Sequence, residues 1–140
     1  MLFGIAGSGR VTQLLKYQFE IPEHRPSMSA REYMGSAFTQ ALRELFQVNG
    51  YLKQKDGYDS FGASFLVGYQ GMLFHVEDDF QAGLCQRGFD AVGIGRSEAL
   101  AVMTFAKSLK MAPKAVLTAA LKTVEETNIG VKRPFKILEI

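Results

Sequence analysis

The sequence predicts an α+β fold, and three observations point to it. Two β-rich runs, Ala63 to Tyr69 and Met72 to Glu77, meet at Gln70-Gly71, a dipeptide suited to a tight hairpin. Helical periodicities come in adjacent pairs, without the strand–helix alternation of a doubly wound parallel sheet. Glycine turns stand at two helix starts, Gly7-Ser8-Gly9 and Gly93-Ile94-Gly95.

Leu2 to Ala6 is apolar and reads as a short buried strand. The Gly7–Gly9 turn leads into a helix from about Arg10 to Phe19, with Ser8 as N-cap and Val11, Leu14, Leu15 and Phe19 as its inward stripe. Ile21 to Pro26 is a loop punctuated by Pro22 and Pro26. Ser29 and Glu32 form a capping box for a second helix, whose apolar positions are Met34, Phe38, Ala41, Leu42 and Leu45, with Gly50 at its exit. Tyr51 to Ser60 reads as a polar connection containing the turn dipeptide Asp56-Gly57. After the central hairpin, Phe80 to Leu84 is a short third strand and Phe89 to Ile94 another. Helices then run from about Ser97 to Lys110 and from Pro113 to Thr127. Pro113 suits the first helical turn, where its missing N–H has no partner to lose. Val116, Leu117, Ala120, Leu121 and Val124 face a core, Gly130 ends the helix, and Phe135 to Ile140 is a closing strand. Phe38, Phe46, Phe65, Phe74, Phe105 and Phe135 sit at core periodicities.

A chain of 140 residues fits one domain with a real core, spanning 1–140. Its 47% apolar and 21% charged residues are ordinary for a globular protein. Net charge of +2, with scattered Lys and Arg, argues against a nucleic-acid partner, and no apolar run is long enough for a membrane helix. The single cysteine, Cys85, excludes an internal disulfide and suits a reducing cytoplasm.

The ordered set of motifs resembles proteasome β-subunits and the bacterial protease HslV after their first strands. It comprises Leu2-Phe3-Gly4-Ile5-Ala6-Gly7-Ser8-Gly9, Phe65 to Tyr69 with Gly71 to Val76, Asp90 to Arg96, and Phe135 to Ile140. The resemblance implies a four-layer αββα sandwich of the N-terminal-nucleophile hydrolase type, N-terminally incomplete, and threonine-type peptide hydrolysis in a ring. It makes Gly7 the oxyanion amide, a role that suits a glycine at the positive end of a helix. It places the nucleophile, which acts with its own α-amino group as base, and the supporting aspartate and lysine before Met1. A supporting serine falls at Ile94, which has no hydroxyl. No peptidase activity is therefore expected of these residues, and no cofactor or metal is implied. Expected partners are sibling subunits or copies of the chain, an unfolding ATPase and, in an active member, a peptide substrate. Losing the early strands would leave apolar surface and sheet edges for a partner to cover.

Two rivals stand beside this reading. One is an interaction or structural protein that keeps the sandwich without the chemistry. The other is a phosphate- or nucleotide-binding α/β protein using Gly4 to Gly9, although the spacing is G-x-x-G-x-G and not the dinucleotide pattern. Arg96, after Gly93-Ile94-Gly95 and before Ser97, could meet a carboxylate or phosphate, but a plain turn explains it as well. His24 is expected in an exposed loop and His75 on one sheet face, with no carboxylate at metal-ligand spacing. Cys85 is expected as a structural thiol and Glu77-Asp78-Asp79 as a solvated hairpin end.

Overall fold

A computed structural model of the protein describes residues 1–139 and divides into two compact units, Met1–Asp90 and the chain from Ala91 onward. The first contains strands β1 (Leu2–Ala6), β2 (Lys53–Lys55), β3 (Tyr58–Ser60), β4 (Ser64–Tyr69), β5 (Met72–Val76) and β6 (Ala82–Leu84). Its helices are α1 (Gly9–Tyr17), α2 (Ala30–Tyr33) and α3 (Thr39–Val48). The second unit contains α4 (Arg96–Ser108) and α5 (Pro113–Thr127). Helices and antiparallel sheets occupy separate stretches of chain, which is the α+β class.

In the first unit the sheet order is β1-β4-β5-β6, antiparallel throughout. Register sorts its side chains by face. Phe3 pairs with Val67 and Val67 with Phe74, while Ile5 pairs with Phe65 and Phe65 with Val76. These residues join Val11, Leu14, Met34, Phe38, Leu42 and Phe46 of the helices in one core. Leu66, His75 and Gly83 are also register partners and occupy the other face. Gln70 (φ 47°) and Gly71 (φ 72°) close the β4–β5 hairpin with both central residues left-handed, as a type I′ turn requires.

The same geometry corrects the reading of Tyr51 to Ser60 as a polar loop. Asp56 (φ 50°) and Gly57 (φ 88°) close a second hairpin, β2–β3. The turn signal was in the sequence, but strands of three residues carry too little apolar alternation to show themselves.

Ser8 caps α1 by accepting the Arg10 N–H at 3.2 Å, and Val11, Leu14 and Leu15 are buried beneath it. The capping box at α2 is complete. Glu32 N–H donates to Ser29 Oγ at 3.2 Å, and Ser29 N–H donates to Glu32 Oε2 at 2.8 Å. The Ser29 N–H foremost, and after it the Ser29 hydroxyl, which also donates to Glu32 Oε2 at 2.8 Å, hold the Glu32 carboxyl below its ordinary value near 4.5. Its contribution is therefore complete above the unfolded pKa and fades as pH falls through the depressed folded value. Ser29→Ala is expected to lower the melting free energy by ~1 kcal/mol. It should also return the Glu32 titration, followed by NMR, toward 4.5.

The second helix departs from the predicted regular period. Between α2 and α3 lies a π-helical segment, Met34–Phe38. Gly35 weakens the helix here, and two hydroxyls engage its carbonyls: Ser36 Oγ donates to Glu32 O, and Thr39 Oγ1 to Ser36 O. Met34, Phe38 and Leu42 are all buried on the core face across this segment.

In the second unit α4 and α5 pack together through Met103, Ala106, Ala120 and Val124. Pro113 opens α5 as predicted. Several expectations fail from residue 89 onward, among them Leu117 of the α5 stripe, which is 40% exposed. Residues 89–94 form no strand, and the chain turns at positive φ at Gly88 and Gly93. Residues 135–139 also form no strand, and Ile140 lies outside the described residues. Just before that tail the chain is tied back to α5, since Arg133 N and Nε donate to Glu125 at 3.0 and 2.7 Å. Phe105 is not core but 66% exposed, and Phe135 is half-buried.

Candidate functional site

The turn at Gly7 is shaped for glycine. Its φ is +124°, and a Cβ there would lie 3.0 Å from the Ala63 Cβ. The turn follows β1, which Ala6 pairs to Ser64 of β4, and leads directly to the capped N-terminus of α1. The backbone N–H groups of this turn therefore stand at the positive end of a helix, where they can favour a developing oxyanion.

The remaining candidates divide between the units. Ile94, the position matched to a supporting serine, lies in the second unit and is 73% exposed. Its carbonyl accepts from Asn128 Nδ2 at 3.5 Å, and its side chain lies beside Gly130. Gly95 owes its identity to packing: a Cβ there would stand 2.1 Å from Val124 Cγ1. Arg96 Nε donates to Ala91 O at 2.9 Å, so this arginine braces its own turn.

Both histidines are more engaged than expected. His24 is half-buried, stacked on Tyr33 at 4.6 Å. Its Nε2 lies 2.9 Å from Met28 O, which can only accept, so Nε2 carries a proton; Nδ1 lies 2.6 Å from the Tyr69 hydroxyl. Burial, with Tyr69 adding to it, raises the pKa of neighbouring Tyr33, whose hydroxyl donates to Pro22 O at 2.7 Å. This cluster fastens the Pro22–Pro26 loop to the sheet.

His75 belongs to a constellation missed in the sequence. Its Nδ1 lies 2.7 Å from Asp90 Oδ2, and the Cys85 thiol meets the same oxygen at 3.5 Å. Nε2 is buried without a hydrogen-bond partner, although Glu77 Oε1 is 3.4 Å away in poor alignment. Asp90 Oδ2 thus meets both the thiol and the imidazole. The signal available was topological: Cys85 N–H donates to Leu73 O, and the Cys85–Gly88 turn brings Asp90 back over β5. Among the described residues, no group of three or more His, Cys, Asp or Glu could hold a metal ion. No helix among them is long and apolar enough to cross a membrane.

No protein-family model matches the sequence, and no curated protein matches it. A solved structure of a Thiobacillus denitrificans protein designated BPH is similar, with a TM-score of 0.72 and 20% identity. The match covers 94% of this chain and 70% of that one. At this identity the likeness concerns the fold alone, and the chain shares its fold with the Thiobacillus protein over nearly its whole length.

Proposed function

We propose that the chain is a subunit of a proteasome- or HslV-like assembly, built on the αββα sandwich of N-terminal-nucleophile hydrolases. The observation that carries this reading is the Gly7 turn, where a strand of the central sheet delivers a glycine with φ +124° to the start of a capped helix. The antiparallel hairpin β4–β5 beside it and the helix pair α4–α5 follow in the order the resemblance requires. In this reading the sheet face carrying Leu66 and His75 is the one that meets a second sheet. Partners are further copies or sibling subunits, with an unfolding ATPase and peptide substrate in any active assembly, in a reducing cytoplasm that suits a single cysteine, Cys85, outside any disulfide.

The 140 residues contain no side chain that the resemblance makes a nucleophile, and Ile94 replaces a hydroxyl. Incubation with fluorogenic peptides is therefore expected to give no turnover above background. Turnover abolished by a hydroxyl-directed covalent inhibitor would overturn the non-catalytic part of the reading. Sedimentation tests the assembly part, which a stable monomer across the micromolar range would contradict.

The second reading, an interaction or structural protein, is favoured by the exposure of Ile94 at 73% and Ile129 at 93%. It shares the fold and differs only in lacking any peptide-processing partner.

A further inference from the structure

We propose that an open cleft along the π-helical segment binds the cationic head of a peptide side chain, a guanidinium or ammonium group. The cleft holds about 400 Å³ between the helix face bearing Ser36, Thr39, Gln40 and Arg43 and the β5–β6 turn bearing Asp79 and Phe80. Its chemistry follows from which hydrogen atoms are already committed. Ser36 Oγ–H donates to Glu32 O, and Thr39 Oγ1–H donates to Ser36 O at 3.2 Å. Both oxygens therefore offer lone pairs to the cleft. Gln40 Nε2 donates one hydrogen to Glu44 at 2.9 Å, leaving its carbonyl oxygen as an acceptor beside one further N–H. Asp79 Oδ1 accepts the Gln81 N–H at 2.9 Å, leaving a second carboxylate oxygen.

The cation in the lining does not reverse this balance. Arg43 pairs with Asp59 and lies over the Phe80 ring at 4.5 Å. With Arg43 matched by Asp59, the Asp79 charge is left to set the sign of the cleft. The acceptors of Ser36, Thr39 and Gln40 and the carboxylate of Asp79, beside an Arg43 already paired with Asp59, favour a group with several N–H donors and positive charge.

The walls are also held in place. Phe80 closes a three-residue hairpin loop in the left-handed region at φ 72°, a position that favours glycine. Its ring is nevertheless 6% exposed and contacts Phe46 and Phe61, so the core fixes the rim to which Asp79 belongs. The π turn likewise sets Ser36 and Thr39 by their carbonyl bonds. None of this depends on the hydrolase reading.

The test is an NMR titration of the ¹⁵N-labelled 140-residue chain with N-acetyl-arginine amide, N-acetyl-lysine amide and N-acetyl-aspartate amide. Saturable shifts confined to residues 35–43 and 79–81 are expected with one or both of the basic compounds and not with the acidic one. Asp79→Asn keeps the bond to the Gln81 N–H possible, so the loop should fold, and it should weaken binding about tenfold. Unchanged melting of that variant confirms an intact fold. No saturable shift with either basic amide, equal binding of the acidic one, or full affinity in folded Asp79→Asn would each overturn the proposal.

Discussion

Phe46→Ala is expected to lower the stability of the first unit by ~3–5 kcal/mol, the range for deleting a fully buried aromatic ring. Phe46 is 0% exposed and lies at the end of α3, where it joins three parts of the unit. Its ring stacks on Phe61 at 4.9 Å, meets Tyr51 at 6.1 Å and meets Phe80 at 6.2 Å. Removing it leaves a cavity that neighbouring rings, each held by several contacts, can only partly fill. Urea unfolding followed by circular dichroism measures the loss. Phe105→Ala serves as a control, because its ring is 66% exposed. Equal losses from the two variants would sink the assignment of the core.

Gly7→Ala is expected to cost about 2–3 kcal/mol from two sources that add. A side chain at φ +124° is strained in any packing, and its Cβ would press on Ala63 at 3.0 Å. Relief requires the turn to rotate, which would re-aim the N–H groups at the start of α1. The variant is checked by thermal melting and by the NMR shifts of Ser8 and Arg10, which report the cap. A melt unchanged within a few tenths of a kcal/mol would show that the turn tolerates a side chain, and would remove the steric basis for Gly7 as a specialised position.

Much of this fold was legible because local rules acted alone. The capping box at Ser29, the proline at Pro113 and the left-handed pair Gln70-Gly71 each needed only a few neighbouring residues to be recognised. What was hidden depended on distant partners. Phe89 to Ile94 and Phe135 to Glu139 have strand composition but find no ladder, the second following an Arg133 bound to Glu125 of α5. The π segment was hidden for another reason: an extra residue in a turn leaves every apolar residue in the list and changes only their phase. At the candidate site, Gly7 was visible as a glycine turn, whereas the meeting of His75, Cys85 and Asp90 requires the chain to reverse after β6.

The position of β1 has a consequence for the order of assembly. Its described partner is β4, and α1, the π-containing helix and the β2–β3 hairpin intervene between them in the chain. The β4–β5 pair closes across two residues, whereas the β1–β4 pair must first overcome the loop entropy of that whole interval. That entropy favours a late joining of β1, once the helices have supplied Val11, Phe38 and Leu42 as a surface for Phe3 and Ile5. On the same argument the Gly7 turn, carried at the end of β1, is expected among the last features of the first unit to take shape, and pulsed amide exchange during refolding would show Ser8 and Arg10 protected after Val67 and Phe74.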